Sequence, residues 1–148
     1  VSRVAIEIAE ACRRRGVNVD EKLVEVGALL HDVGRSVTHN IDHGVTGGKL
    51  ARTAGFPECV VKIVENHIGA GIPADEANGI GLPEKDFIPT TIEEKIVTFA
   101  DKLVVGKKRV ESDVAFENLA EALGHDHPAL ERFKKLRDEI AYLAGVSF

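Results

Sequence analysis

Methionine and tryptophan are absent from this 148-residue chain, which has only two cysteines, one tyrosine and six phenylalanines. Two cysteines exclude a scaffold held together by several disulfides. A domain of about 150 residues does not need one, because it removes roughly 68–70% of its unfolded surface from water. Cys12 and Cys59 each stand beside apolar residues inside helix-like segments, which predicts two reduced, buried thiols in a cytoplasmic protein. No apolar run approaches the roughly 18–20 residues needed to span a bilayer, and no signal-peptide or lipidation pattern is visible. An excess of basic charge is lacking as well. The 19 Lys and Arg residues against 24 Asp and Glu give a net charge of −5. That balance argues against a generic binder of DNA or RNA backbones, but leaves room for a small phosphorylated ligand held by one or two local cations. An apolar fraction of 44% separates the chain from disordered sequences.

What is present is helical periodicity almost throughout. Val4, Ile8, Ala11 and Cys12 fall on one helical face that stops at Gly16. Asp20 is placed to cap a second helix carrying Leu23, Val24, Gly27, Leu30 and His31. A third aligns His43, Gly47, Leu50, Ala51 and Ala54 and ends at Gly55. A fourth, from about Pro57, aligns Val60, Ile63, Val64 and His67. Residues 69–89 are rich in Gly and Pro and read as a loop of about 20 residues, a length that marks either a functional segment or a disordered connector. Thr90 and Thr91 each precede a Glu by three positions, a capping-box pattern opening a fifth helix with Ile92, Ile96, Phe99, Ala100 and Leu103 inward. Two more helices carry Phe116 to Leu123 and Pro128 to Leu143. No strand-like alternation stands out. The fold class is all-α, a bundle of about six to seven helices in one domain over residues 1–148, with the motif-bearing core in 1–105 and the C-terminal helices in 114–145.

The ionisable residues on these apolar faces carry the chemistry. His31, His43, His67 and Asp101 each sit on an inward or core-edge position of a different helix, with Asp32 beside His31. An unpaired buried carboxylate alone costs several kcal/mol. A divalent cation removes the difficulty, by neutralising carboxylates and taking neutral imidazoles as donors. Helix-borne ligands meeting in a bundle core build such sites.

The string Ala28-Leu29-Leu30-His31-Asp32-Val33-Gly34-Arg35 resembles the signature of the HD-domain phosphohydrolase superfamily. Asp42-His43-Gly44 with Gly47-Gly48, then Ile63-Val64-Glu65-Asn66-His67, then Phe99-Ala100-Asp101-Lys102 follow in the order of its HDIG-type branch. The match covers roughly residues 1–105 and is most similar to small stand-alone prokaryotic, especially archaeal, members. A His-Asp pair alone is weak, since about 0.4 would occur by chance in this composition. His125-Asp126-His127 supplies the contrast: it lies on no apolar face, and Asp126 or His127 reads as an N-cap with Pro128 at the first helical position. His39, in the loop before His43, reads as solvent-facing.

The resemblance implies one or two divalent transition-metal ions, Mn, Fe, Ni or Zn. His31, Asp32 and Asp101 would hold one; Asp32 would bridge to a second, held by His43 and His67. It implies hydrolysis of a phosphoester or phosphoanhydride of a small nucleotide-like substrate by metal-activated water, with Arg35 contacting substrate phosphate and Lys102 stabilising charge. The alternative is a catalytically inactive metal- or nucleotide-binding regulatory module. Arg35, Ser36 and Val37 stand where members that hydrolyse guanosine tetraphosphate carry an acidic pair, and no Gly-Tyr-Pro tripeptide of the cyclic-di-GMP phosphodiesterases occurs. Members also carry a His four residues before a Val-Ala pair. Val4-Ala5 places that His immediately before Val1, so one further imidazole ligand is expected there. Exposed helix faces are compatible with a homodimer.

Overall fold

The computed structural model describes residues 1–148. Eight α-helices follow one another: α1 (Ser2–Arg14), α2 (Glu21–Leu30), α3 (His43–Thr53), α4 (Glu58–Asn66), α5 (Ala74–Gly79), α6 (Ile92–Lys102), α7 (Ser112–Leu123) and α8 (Pro128–Ala144). A single 3-10 turn, Val33–Ser36, joins α2 to the approach of α3. The only sheet is a two-stranded antiparallel hairpin, β1 (Val104–Val105) with β2 (Lys108–Arg109), whose register pairs Val104 with Arg109. No helix is long and apolar enough to cross a membrane.

Local chemistry sets the helix ends. The Asp20 side chain accepts from the Leu23 amide at 2.9 Å, and Thr91 accepts from the Glu94 amide at 3.3 Å, each satisfying an orphan donor of a first turn. His127 caps α8, its ring accepting from the Ala129 amide at 3.1 Å with Pro128 in the first turn. The second His-Asp-His string is therefore structural, and His39 is exposed, both as the sequence predicts.

α1 lies against α2, α6 and α8, and α3 packs on α4 and the 3-10 turn. Ile8, Cys12, Val24, Ile63, Ile96, Phe99, Leu103, Phe133 and Ile140 form the main core. Close approach is built in with glycine. A Cβ on Gly27 would stand 2.6 Å from Ile63 Cδ1, so α2 and α4 meet at van der Waals distance only because Gly27 has none.

Five expectations change. Residues 69–89 are not a structureless connector: they contain α5, an Ile72–Phe87 bridge, and a second small core of Ile68, Ile72, Ala77, Leu82 and Phe87. α5 is the helix beyond the six or seven expected, and the hairpin after α6 is the strand pair that no alternation announced. Cys12 is buried, but Cys59 is exposed, because it stands one position off the inward face of Val60, Ile63 and Val64. On α3 the buried face is His43, Gly44, Gly47, Gly48 and Ala51, while Leu50 and Ala54 face outward.

Candidate metal centre

α2, α4 and α6 all end at one place. His31 follows the last residue of α2, His67 follows the last residue of α4, and Asp101 lies in the last turn of α6. His43 opens α3, and Asp32 precedes the 3-10 turn. Three helix C-termini therefore direct the negative ends of their dipoles at the cluster, an arrangement that favours a cation.

The same device orients all three imidazoles. His31 Nδ1 lies 2.7 Å from the Ala28 carbonyl oxygen, His43 Nδ1 2.8 Å from that of Asn40, and His67 Nδ1 2.7 Å from that of Val64. A carbonyl only accepts, so each Nδ1 carries the hydrogen and each neutral ring presents a bare Nε2 lone pair to the centre of the cluster. This is the backbone-carbonyl support usual for metal-ligating histidines.

The lone pairs converge. His43 Nε2 and His67 Nε2 are 3.2 Å apart, and Asp32 Oδ1 is 3.3 Å from the first and 3.4 Å from the second. Asp32 Oδ2 faces the other way, 3.7 Å from His31 Nε2, which is 3.3 Å from Asp101 Oδ1. His31 Nε2 is buried with no hydrogen-bond partner. Three electron-rich atoms within 3.4 Å of one another, none with a hydrogen to share, repel unless a cation or proton lies among them. Nitrogen and oxygen ligands about 2.0–2.1 Å from one tetrahedral ion stand about 3.3–3.4 Å apart, which is the spacing found here. The residues fit a divalent metal, and His31, Asp32 and His67 offer one ligand atom each within 4.8 Å of one another.

The charges respond to this crowding. Burial opposes ionisation of Asp32, but whenever His43, His67 or His31 takes up a second proton, the Nε2–H and charge it gains beside the carboxylate outweigh burial and hold the Asp32 carboxyl far below the usual range. Asp101 is likewise held below that range: burial raises it, and Lys102, His31 and His67 outweigh that. Burial pushes the His67 imidazole down, a preference for the neutral ring that metal ligation requires. At His31 burial also acts downward, but hydrogen bonding and attraction to Asp101 carry the ring upward.

All seven sequence-predicted residues lie in or beside this cluster. Arg35 Nε sits 2.9 Å from Asp32 Oδ1 with about two-fifths of its side chain exposed, and Lys102 Nζ lies 2.6 Å from Asp101 Oδ2. Sequence reasoning missed two buried carboxylates. Glu94 accepts from Asn66 Nδ2 at 2.8 Å, fixing the residue before His67. Glu65 is paired with Lys85 at 2.7 Å, tying the 69–89 segment to α4. It also missed how the glycines act. A Cβ on Gly34 would overlap the His43 carbonyl oxygen and stand 2.7 Å from the Gly47 amide nitrogen, so the 3-10 turn can lie on α3 only with glycine there. The signal was the Gly44, Gly47 and Gly48 spacing in one helix.

A helical bundle that gathers three imidazoles and two carboxylates at converging helix ends is a metal-binding α-helical protein. Residues 1–106 match the HD domain family, and the chain belongs to it. It is 50% identical over 140 residues to the uncharacterized protein MJ0778 of Methanocaldococcus jannaschii, covering 95% of this chain and 83% of that protein. It is 40% identical over 150 residues to a tRNA (cytidine(56)-2'-O)-methyltransferase of Picrophilus torridus, covering 98% of this chain but 40% of the methyltransferase. Among solved structures it resembles the HD domain of the L. monocytogenes phosphodiesterase PgpH, with a TM-score of 0.53 at 18% identity, covering 97% of this chain and 90% of that one. That likeness concerns the fold. A second structure of the same domain is a complex with cyclic-di-AMP.

Proposed function

We propose that this chain is a metal-dependent phosphohydrolase acting on a phosphoester or phosphoanhydride of a small nucleotide-like molecule. The observation that carries the reading is the set of bare Nε2 lone pairs facing Asp32. Family membership supports the reaction class.

In this reading His31, Asp32 and Asp101 would hold one ion, and His43 and His67, with Asp32, would hold a second. A bound divalent transition metal lowers the pKa of water toward neutrality and offsets charge on a phosphoryl oxygen. The chain's own groups do the rest. Asp32, ionised at any physiological pH, offers an oxygen to each side of the cluster. Arg35 is exposed enough to leave Asp32 for a phosphate, whose oxygens suit its planar fork. Lys102 holds Asp101 as a carboxylate and adds positive charge at the rim. Hydrolysis adds water across the P–O bond, the hydroxyl going to phosphorus and the proton to the leaving oxygen.

The other reading, a metal- or nucleotide-binding regulatory module without catalysis, draws on the methyltransferase match, where the similar segment is 40% of a longer protein. Hydrolysis of bis-p-nitrophenyl phosphate and a nucleotide panel, with Mn, Fe, Ni or Zn supplied in turn, separates the two. The enzyme reading expects turnover that Asp32→Ala reduces by about 10³-fold or more. Metal binding with equal background rates in both proteins favours the regulatory module.

A further inference from the structure

Residues 72–87 keep their backbone hydrogen bonds to themselves. Ile72 and Phe87 exchange a pair at 2.9 and 2.8 Å, Asp86 accepts from the Ala74 amide at 2.9 Å, and no backbone bond leaves the segment. Ile72, Ala77, Leu82 and Phe87 pack with Ile68 into a core separate from the main one. The neck of this unit is narrow and carries glycine where the chain turns. Gly69 and Gly71 have φ of 60° and 91°, and a Cβ on Gly71 would stand 3.1 Å from Pro89 Cδ, so the two ends of the segment touch.

Only two side chains of the segment hydrogen-bond to the rest of the protein. Glu76 accepts both arms of the Arg132 guanidinium of α8, at 2.8 and 2.7 Å, and Lys85 donates to Glu65 of α4 at 2.7 Å. Arg132 also donates to the Gly71 carbonyl at 3.1 Å, so one side chain clasps both neck and body. Space for movement lies behind. A cavity of about 490 Å³ separates Glu76, Gly79 and Ile80 from Leu119 and Leu123 of α7 and Ala129 of α8. A segment with few ties, glycine at its neck and unfilled space behind it belongs to the low-stability end of a fold, from which lids are drawn.

One contact reaches the metal cluster. Ile68 belongs to the segment's core, directly follows His67, and packs on Gly44, the residue after His43, where a Cβ would stand 2.9 Å from its Cγ1. Movement of the segment is therefore felt beside two of the histidines.

We infer that residues 69–87 form a lid, swinging on Gly69 and Gly71, latched by the Glu76–Arg132 and Lys85–Glu65 pairs, and coupled through Ile68 to the metal centre. A metal that fixes His43 and His67 favours the closed lid, and the closed lid favours the metal by the same factor. The inference goes beyond the phosphohydrolase reading, and its test needs no turnover.

Spin labels at Ile80→Cys and Leu123→Cys, which face the cavity from the lid and from α7, report the opening by pulsed electron resonance. A Cys59→Ser background removes the exposed native thiol. Labels at Leu29→Cys and Tyr142→Cys, two exposed helix positions outside the lid, report the bundle. The parent should give one narrow lid distance. Glu76→Ala with Lys85→Ala should raise a second, longer distance at least about tenfold in population, while the bundle distance stays unchanged. Glu76→Gln alone, which keeps the shape and removes the charge, should give a smaller rise in the same direction. Zinc, which is diamagnetic, should lower the open population of the Glu76→Gln protein at least about fivefold. Lid distances that stay the same in both variants overturn the latch, and a bundle distance that broadens along with them overturns the lid as a separate unit. Equal populations with and without zinc overturn the coupling through Ile68.

Discussion

Replacing Gly34 with Ala adds one carbon where the structure has no room for it. The new Cβ would overlap the His43 carbonyl oxygen and come within 2.7 Å of the Gly47 nitrogen. Both are backbone atoms of α3, so no side-chain rotation relieves the contact, and the 3-10 turn must lift away from α3. Overpacking against yielding side chains costs about 1–3 kcal/mol, and a rigid backbone places this variant at about 3 kcal/mol or above. Gly34 has a negative φ, so the substitution also returns about 0.4–1 kcal/mol through the unfolded chain, which does not cancel the clash. For a domain of this size each kcal/mol moves the midpoint by about 2–4 °C, giving a fall of about 6–12 °C. Gly79→Ala is the control. Its Cβ would meet nothing within 4 Å and its φ is not positive, so its midpoint should not fall below that of the parent by more than about 2 °C. Calorimetric melting of metal-free proteins makes the comparison. Equal midpoints for Gly34→Ala and the parent would refute the claim that the 3-10 turn can lie on α3 only with glycine at this position.

Glu94→Ala should destabilise by about 1–3 kcal/mol in chemical denaturation, because Asn66 Nδ2 is left buried without an acceptor; a loss under about 0.5 kcal/mol would deny that pairing its weight. A thiol reagent at pH 8 should modify Cys59 at once and Cys12 only after unfolding, since burial both shields the Cys12 thiol and pushes its pKa up; two fast equivalents would contradict the packing of α1. Stripping metal with a chelator should lower the melting midpoint by about 5–11 °C relative to protein in metal at a hundredfold excess over its dissociation constant, the equivalent of about 2.7 kcal/mol. No change would mean that no ion is linked to folding.

Helix ends were legible because capping chemistry is local: Asp20, Thr91, Gly124 and Pro128 act within three residues of themselves. The metal residues were legible because each stands on a helical face whose period marks the interior, and because the strings around His31, His43, His67 and Asp101 keep the order of a known family. What escaped depends on partners far apart in the chain. Ile72 pairs with Phe87 across a segment whose glycines and prolines hide both, and α5 is too short for a periodic signal. Glu94 and Asn66 stand 28 positions apart, and Glu65 and Lys85 stand 20 apart, so neither pair leaves a local pattern. On α3, glycine carries the buried face. A reading weighted by hydrophobicity therefore chose Leu50, while three of the five residues of the contact surface, Gly44, Gly47 and Gly48, have no side chain to score.

The metal content of protein purified without chelator, measured by mass spectrometry for the parent and for Asp32→Ala, bears most directly on the centre. Asp32 is the residue whose two oxygens face His43 and His67 on one side and His31 on the other. The account predicts about one to two transition-metal ions per chain in the parent and a loss of at least about half of them in the variant. A parent protein that carries no transition metal and takes none up on addition of Mn, Fe, Ni or Zn would contradict it.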